Sequence, residues 1–128
     1  MIKYIISLVL LFFLIGCEGN KAYGQEGLID ELCIRAIVGE SSNQGYQGML
    51  ALASGLRNRG TLQGVYGLNA KHKEPAWVWE QARKAWAESE HNRIHMGTHW
   101  ENIKAFGKPS WAYKMTKVYE YKDHIFYK

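Results

Sequence analysis

The sequence contains only two cysteines, Cys17 and Cys33, and it has no apolar run long enough to span a bilayer. A membrane-spanning helix needs about 20 apolar residues, whereas the apolar stretch near the N-terminus covers residues 5–15. A short cationic start followed by such a stretch indicates a secretory signal. The sequence also lacks internal repeats and a dense stripe of Lys and Arg. Its formal net charge of +4 suits contact with an anionic surface such as wall polymer or membrane. Nucleic acid is the competing partner for a basic chain, but export and the lack of a Lys/Arg stripe argue against it.

The apolar stretch ends in Leu14-Ile15-Gly16-Cys17, which resembles the lipobox of bacterial lipoproteins. The resemblance implies cleavage before Cys17 and acylation of its thiol, which gives stable membrane attachment. We expect a lipoprotein signal peptide over residues 1–16, a polar tether over residues 17–26 and one domain over residues 27–128. The mature chain is then an exported lipoprotein of the cell envelope, facing the periplasm or the cell surface. The alternative is cleavage further on, for example after Ala22, with Cys17 discarded.

Cys33 is the one thiol that remains if Cys17 is acylated. No intramolecular disulfide can form in that case, although exported proteins fold in an oxidising compartment. Because Cys33 lies in an apolar helical pattern, we expect it to pack in the core.

Apolar residues at helical spacing predict three helices, over about residues 28–38, 46–58 and 76–90. Gly60 is placed to end the second helix, and the glycines and proline of residues 61–75 indicate an irregular connection. Near the C-terminus, residues 113–121 and 124–127 predict a hairpin. Helices first and a small antiparallel sheet or hairpin last predict an α+β fold.

Glu40 follows Ala36 by four residues and Cys33 by seven, so it continues the apolar stripe of the first helix. A carboxyl on that face is costly to ionise, which raises its pKa and keeps a proton available near neutral pH. Protonation of a glycosidic oxygen requires such a group. Gly39 leaves the adjacent backbone bare, which would let a substrate approach closely. The alternative is that Glu40 turns outward, or accepts hydrogen bonds, where the helix ends.

Four segments resemble the SleB-type cell-wall hydrolases, in the same order and at similar spacing. They are AIVGES at residues 36–41 with the helix and Asn-Arg pair of residues 45–59, GTHW at 97–100, PSWA at 109–112 and HIFYK at 124–128. The resemblance covers roughly residues 32–128. The sequence departs from the family pattern at Ser41, usually alanine, at Trp100, usually Phe or Tyr, and at residues 121–123, where Ile-Gly is usual before the histidine.

The resemblance implies a lysozyme-related α+β domain that cleaves the bond between N-acetylmuramic acid and N-acetylglucosamine in peptidoglycan, with Glu40 as the catalytic residue. Several members of the family are lytic transglycosylases, in which one carboxyl acts first as acid and then as base to the muramic 6-hydroxyl. No second carboxylate stands out in the sequence. Glu101 is the best second candidate, with a solvated loop charge as the simpler interpretation. We expect a monomer that acts on glycan strands without metal or cofactor.

Six further residues are expected to bind substrate. Thr98 and His99 line the cleft or orient the substrate, with His124 beside them, unless each is a hydrogen-bonded structural residue. Tyr46, Trp100 and Trp111 are candidates for stacking on sugar rings, with core packing as the alternative for at least one of the tryptophans.

Other functions fit parts of the pattern. A non-catalytic wall-binding or host-interference lipoprotein could share the fold, although the intact Glu40 argues against it. A hydrolytic muramidase would cleave the same glycan bond with water. A zinc amidase would use His91, His95 and His99, which are spaced four residues apart, but Gly97 interrupts that stretch.

Overall fold

The computed structural model describes residues 28–69 and 73–128. The expected signal peptide and tether, including Cys17, lie outside these ranges. Three long helices come first: α1 (Asp30–Ser41), α2 (Gly45–Arg59) and α3 (Ala76–Ser89). Their bounds lie within three residues of the predicted ones, and α1 continues past Val38 to include Glu40. Across both described ranges, no helix is long and apolar enough to cross a bilayer.

The second helix, α2, is the centre of the core. Every residue from Gly48 to Leu56 is buried, because α1, α3 and the sheet cover it on several sides. Gly60 ends α2 as predicted: its φ is 74°, in the left-handed region that favours glycine, and its N–H donates to the Leu56 carbonyl at 2.9 Å. Cys33, on α1, is fully buried in the same core, where burial raises the pKa of its thiol to about 12.

A three-stranded antiparallel sheet follows the helices. It consists of β1 (His99–Asn102), β2 (Lys117–Tyr121) and β3 (His124–Tyr127), in the order β1-β3-β2. The predicted hairpin is thus present as β2 and β3, and the predicted α+β class is confirmed. Phe126 is 1% exposed and joins the sheet to the helical core.

Short elements connect the long ones: a 3₁₀ helix at Tyr66–Asn69, the single-turn α4 (Ile103–Phe106) and a second 3₁₀ helix at Ser110–Lys114. The first of these lies in the region that the sequence indicated as irregular.

Two contacts fix β1 against the end of α2. The Asn58 side-chain amide donates to the carbonyls of His95 and Gly97 at 2.8 and 2.9 Å. One turn earlier, Gly55 leaves room for the indole of Trp100, since a Cβ there would lie 3.0 Å from two ring atoms. These contacts direct the start of β1 toward the last turn of α1, where Glu40 lies.

Candidate active site

Glu40 lies in the last turn of α1, against the 3₁₀ helix Tyr66–Asn69. The two segments touch through their glycines: a Cβ on Gly39 would lie 2.0 Å from the Gly67 carbonyl oxygen, and a Cβ on Gly67 would lie 2.6 Å from Cγ of Glu40. The expectation that Gly39 leaves room for substrate is therefore wrong, because the Gly67 backbone fills that space.

The Glu40 carboxyl accepts a hydrogen bond from the Gly67 N–H at 2.9 Å on its Oε1. Burial raises the pKa of Glu40 above its usual value, and the nearby charge of Glu101 raises it further. The Gly67 N–H, the Trp100 side chain and the Arg59 charge act in the opposite direction without cancelling the rise. Glu40 is thus an oriented carboxyl that holds its proton to higher pH than an exposed glutamate does.

Glu40 lines a cleft of about 220 Å³, which lies between the end of α1, the end of α2 and β1. The cleft is lined by two glutamates, three aromatic residues, a histidine, an arginine and a glycine: Glu40, Glu101, Tyr66, Trp100, Trp111, His99, Arg59 and Gly64. Four of these were expected from the sequence, namely Glu40, His99, Trp100 and Trp111.

Arg59, Gly64 and Tyr66 complete the cleft without having been predicted as site residues, together with Glu101, the best candidate in the sequence for a second carboxylate. A solvated loop charge was the simpler interpretation of Glu101, yet this residue is half-buried on β1 and lines the cleft. Arg59 belongs to the Asn-Arg pair of the family-like motif, and its place in that motif could have indicated a site residue. Tyr66 is flanked by Gly64 and Gly67, and an aromatic residue in a glycine-containing connection is a weaker signal of the same kind.

His99 and Trp111 form one wall, and Thr98, which is not in the cleft lining, contacts His99. The Thr98 hydroxyl and Nδ1 of His99 are 2.9 Å apart, and the His99 and Trp111 ring centroids are 5.4 Å apart. Burial, with a smaller contribution from the charge of Arg59, lowers the pKa of His99. A neutral imidazole held in this way can donate or accept a hydrogen bond.

Besides Thr98, two other residues expected to bind substrate are not in the cleft lining. The Tyr46 hydroxyl donates to Glu88 of α3 at 3.0 Å, so this ring spans two helices. His124 is 5% exposed, and its ring lies 6.3 Å from that of Phe126. Tyr46 lies on the side of α2 that faces α3, and the inward face of β3 carries His124 into the interior. These placements correct the sequence-based expectation for both residues.

The histidine series His91, His95 and His99 is not assembled into one site. His95 has both ring nitrogens engaged: Nε2 is 2.7 Å from the Ala51 carbonyl, and Nδ1 accepts the Gly97 N–H at 2.9 Å. His99 lies on β1, after the helical geometry has ended. Among residues 28–69 and 73–128 no three His, Cys, Asp or Glu side chains are grouped to hold a metal ion.

A second, more open groove of about 420 Å³ lies between α1 and α3 and is lined by Glu31, Leu32, Arg35 and Trp79. Its acid, Glu31, is largely exposed and pairs with Arg83 at 2.7 Å. This groove therefore lacks a buried, oriented carboxyl like that of Glu40.

Neither a family model nor a curated protein sequence matches this chain. Two solved structures are similar to it. The catalytic domain of the Bacillus cereus SleB protein matches at a TM-score of 0.55 and 20% identity, over 76% of this chain and 87% of that one. The catalytic domain of the germination-specific lytic transglycosylase SleB from Bacillus anthracis matches at 0.55 and 20%, over 76% of this chain and 91% of that one. The chain therefore has the fold of the SleB catalytic domains, as its sequence motifs predicted.

Proposed function

We propose that the chain cleaves peptidoglycan glycan strands between N-acetylmuramic acid and N-acetylglucosamine, with Glu40 as the catalytic acid. The observation that carries this proposal is the Glu40 carboxyl itself: it is oriented by the Gly67 N–H, has a raised pKa and faces an open cleft. The fold shared with SleB catalytic domains supports the choice of substrate.

The first step is protonation of the glycosidic oxygen by Glu40. The Gly67 N–H engages Oε1, which leaves the other carboxyl oxygen to carry the proton toward the cleft. As the C–O bond breaks, the proton moves to the leaving sugar and Glu40 becomes a carboxylate. The Gly67 N–H, the Trp100 side chain and the Arg59 charge all favour that ionised form, so they stabilise the charge that develops in this step.

The second step is transglycosylation. The Glu40 carboxylate removes the proton from the muramic 6-hydroxyl, whose oxygen then bonds to the anomeric carbon and closes a 1,6-anhydro ring. Glu40 is protonated again at the end of the cycle, and water is not consumed. One carboxyl is sufficient for this route.

Hydrolysis is the second candidate, and the position of Glu101 favours it. Glu101 lines the same cleft and is close enough to Glu40 to raise its pKa. A second carboxylate in this place could activate water or attack the anomeric carbon, as in conventional glycosidases. The reaction product separates the two routes.

The test is incubation of the full-length protein, purified in detergent, with peptidoglycan, followed by mass spectrometry of the soluble fragments. Anhydromuropeptides support transglycosylation, and reducing ends support hydrolysis. Freed stem peptides and intact glycan would identify an amidase, and the absence of any cleavage would favour a wall-binding protein. Under transglycosylation Glu101→Gln still forms the anhydro product, whereas hydrolysis through Glu101 is lost in that variant.

Glu40→Gln tests the role of the acid. Gln keeps an oxygen that accepts the Gly67 N–H but has no proton of suitable acidity, so the fold should remain and the rate should fall by about 10²–10⁴-fold. Glu31→Gln is the matched control, because it makes the same change on the same helix at an exposed residue. Wild-type turnover in Glu40→Gln would contradict the proposal.

We also propose that the chain is exported and held at the membrane through acylated Cys17. The support is the lipobox-like segment of residues 14–17 behind an apolar stretch. Intact mass spectrometry of the protein from a bacterial membrane fraction should give a chain that begins at Cys17 and carries acyl groups. Cys17→Ser should move the protein out of the membrane fraction. Cleavage after Ala22 in the wild type would contradict the anchor.

A further inference from the structure

The two arginines near the end of α2 differ in how their charge is used. Arg57 donates to Ser89 Oγ at 2.6 Å and to the Trp86 carbonyl at 2.7 Å, and its guanidinium lies 3.7 Å from the Trp86 ring. It therefore packs α2 against α3. Within residues 28–69 and 73–128, Arg59 makes one hydrogen bond, from Nη2 to the Gln63 carbonyl at 2.5 Å, and it faces the cleft.

Arg59 is held in place but leaves most of its donors unused. The bond to Gln63 fixes one end of the guanidinium, and the Trp100 ring lies 5.6 Å from its central carbon. Gly64 leaves space beside it, since a Cβ there would lie 3.1 Å from Nη2. A guanidinium has five N–H donors, so the remaining ones are available to a ligand in the cleft.

The positive charge of Arg59 has no ion-pair partner among the described residues. Three ion pairs occur there, Arg83–Glu31, Lys104–Asp123 and Lys117–Glu120, and none includes Arg59. Both acids of the cleft, Glu40 and Glu101, are therefore more than 4.0 Å from its nitrogens. A positioned cation with free donors in a ligand cleft is suited to an anionic group, and guanidinium geometry matches a carboxylate.

We infer that Arg59 binds a carboxylate of the glycan strand and thereby selects the sugar ring that occupies the site beside Glu40. This inference rests on the proposed function. N-acetylglucosamine carries no carboxyl group, whereas muramic acid carries a lactyl ether at its 3-position. The lactyl carboxylate is free in strands stripped of peptide, and in intact strands the attached stem peptide carries carboxylates of its own.

Selection of the ring determines which glycosidic bond is cut. The two linkages of the strand alternate and are chemically alike, so Glu40 alone distinguishes them poorly. A carboxylate held by Arg59 places a muramic residue in a defined subsite and brings only one of the two linkages to the acid. Arg59 is in this sense a specificity-determining residue, in addition to the effect of its charge on Glu40.

The experiment measures ligand binding to the full-length Glu40→Gln protein in detergent by titration calorimetry. Three ligands are compared: a neutral chitin tetrasaccharide, a peptide-free glycan tetrasaccharide with lactyl carboxylates, and the same tetrasaccharide with stem peptides. We expect one or both carboxylate ligands to bind about tenfold tighter than the chitin oligomer. The two glycan arms identify whether the lactyl group or the peptide supplies the carboxylate.

Adding Arg59→Gln to Glu40→Gln should remove this preference and leave the affinity for the chitin oligomer unchanged. Arg59→Lys should restore part of the preference, because the charge remains while the paired donors are lost. Arg35→Gln is the control, since it removes an exposed charge from the other groove. A preference that persists in Arg59→Gln, or an equal loss for all three ligands, would overturn the inference.

Cleavage by the wild-type protein is measured alongside. If the wild type cuts glycan strands but Arg59→Gln keeps its ligand preference, the carboxylate site is wrong and the proposed function stands. If the wild type cuts no glycan and none of the ligands binds, both the proposed function and the carboxylate site fail.

Discussion

Gly67 donates its backbone N–H to Oε1 of Glu40 at 2.9 Å, a contact between residues 27 positions apart in the sequence. The contact requires a close approach of two backbones. This approach is possible because Gly39 and Gly67 each lack a Cβ, which would collide with the opposite segment. The two glycines therefore set the distance between α1 and the 3₁₀ helix Tyr66–Asn69. That distance brings the hydrogen-bond donor to the candidate acid.

Gly67→Ala tests this arrangement. The new Cβ would lie 2.6 Å from Glu40 Cγ and 2.9 Å from the Ala36 carbonyl oxygen, so the two segments must separate. We expect a loss of about 1–3 kcal/mol in the free energy of unfolding. We also expect a fall in kcat on the order of tenfold or more, since the acid loses its orientation. Urea unfolding and turnover of glycan strands measure the two effects.

Gly107→Ala is the control for this variant. Gly107 has a φ of 74°, and a Cβ added there would have no atom within 4 Å, so alanine costs backbone strain of about 1–3 kcal/mol without a steric clash. Turnover by the folded protein should stay at the wild-type level. If Gly67→Ala also keeps wild-type turnover, the Gly67 contact does not orient the acid.

Glu101→Gln should change the pH profile of turnover. The charge of Glu101 raises the pKa of Glu40, so its removal lowers that pKa. Turnover requires protonated Glu40 and declines as pH rises through its pKa, which means that the alkaline limb moves to lower pH in the variant. The profile of kcat/KM against pH gives the shift. Glu74→Gln, at an exposed residue, should leave the limb in place; a limb that moves equally in both variants would contradict the coupling.

The sequence predicted the long elements closely because their signals are local. Helical spacing placed α2, and Gly60 marked its end at a positive φ. Long-range contacts carry no comparable signal, so the Gly67 hydrogen bond to Glu40 was not predicted. Tyr46 is a residue for which a local motif gave a wrong prediction, again because a long-range contact decided its position. Its position in a family-like motif favoured sugar binding, whereas packing of α2 on α3 directs its hydroxyl to Glu88.

His95 should make the fold sensitive to acid. Nδ1 accepts the Gly97 N–H, so the proton lies on Nε2 and is donated to the Ala51 carbonyl. Burial lowers the pKa of His95 below 6.5. Because the pKa of His95 is lower in the folded state, its contribution to the free energy of unfolding is complete above the unfolded-state pKa, near 6.5. That contribution is lost as pH falls through the pKa of His95 in the folded state. Protonation of Nδ1 also removes the acceptor for Gly97.

The measurement is the free energy of unfolding in urea over a pH series from about 7.5 to about 4.5. Below pH 6.5 the wild type should lose up to about 1.4 kcal/mol per pH unit more than His95→Gln, which has no proton to gain at this position. His91→Gln is the matched control, because His91 is exposed. Equal slopes in wild type and His95→Gln would show that His95 is not the group responsible.

Tyr66 should act in sugar binding. Its side chain is 82% exposed, yet it lines the cleft from the 3₁₀ helix that also supplies the Gly67 N–H. An aromatic face in this place can stack on a sugar ring, a contact of about 0.5–1.5 kcal/mol. Tyr66→Ala should therefore raise KM for glycan strands about 2–10-fold with little change in kcat, and Tyr66→Phe should keep the wild-type KM because the ring remains.

Trp77→Ala is the control for this variant. It removes another exposed ring, 61% exposed on α3, and should leave KM unchanged. An equal rise in KM for Tyr66→Ala and Trp77→Ala would mean that the loss of exposed aromatic surface acts generally and that Tyr66 has no particular place in the cleft.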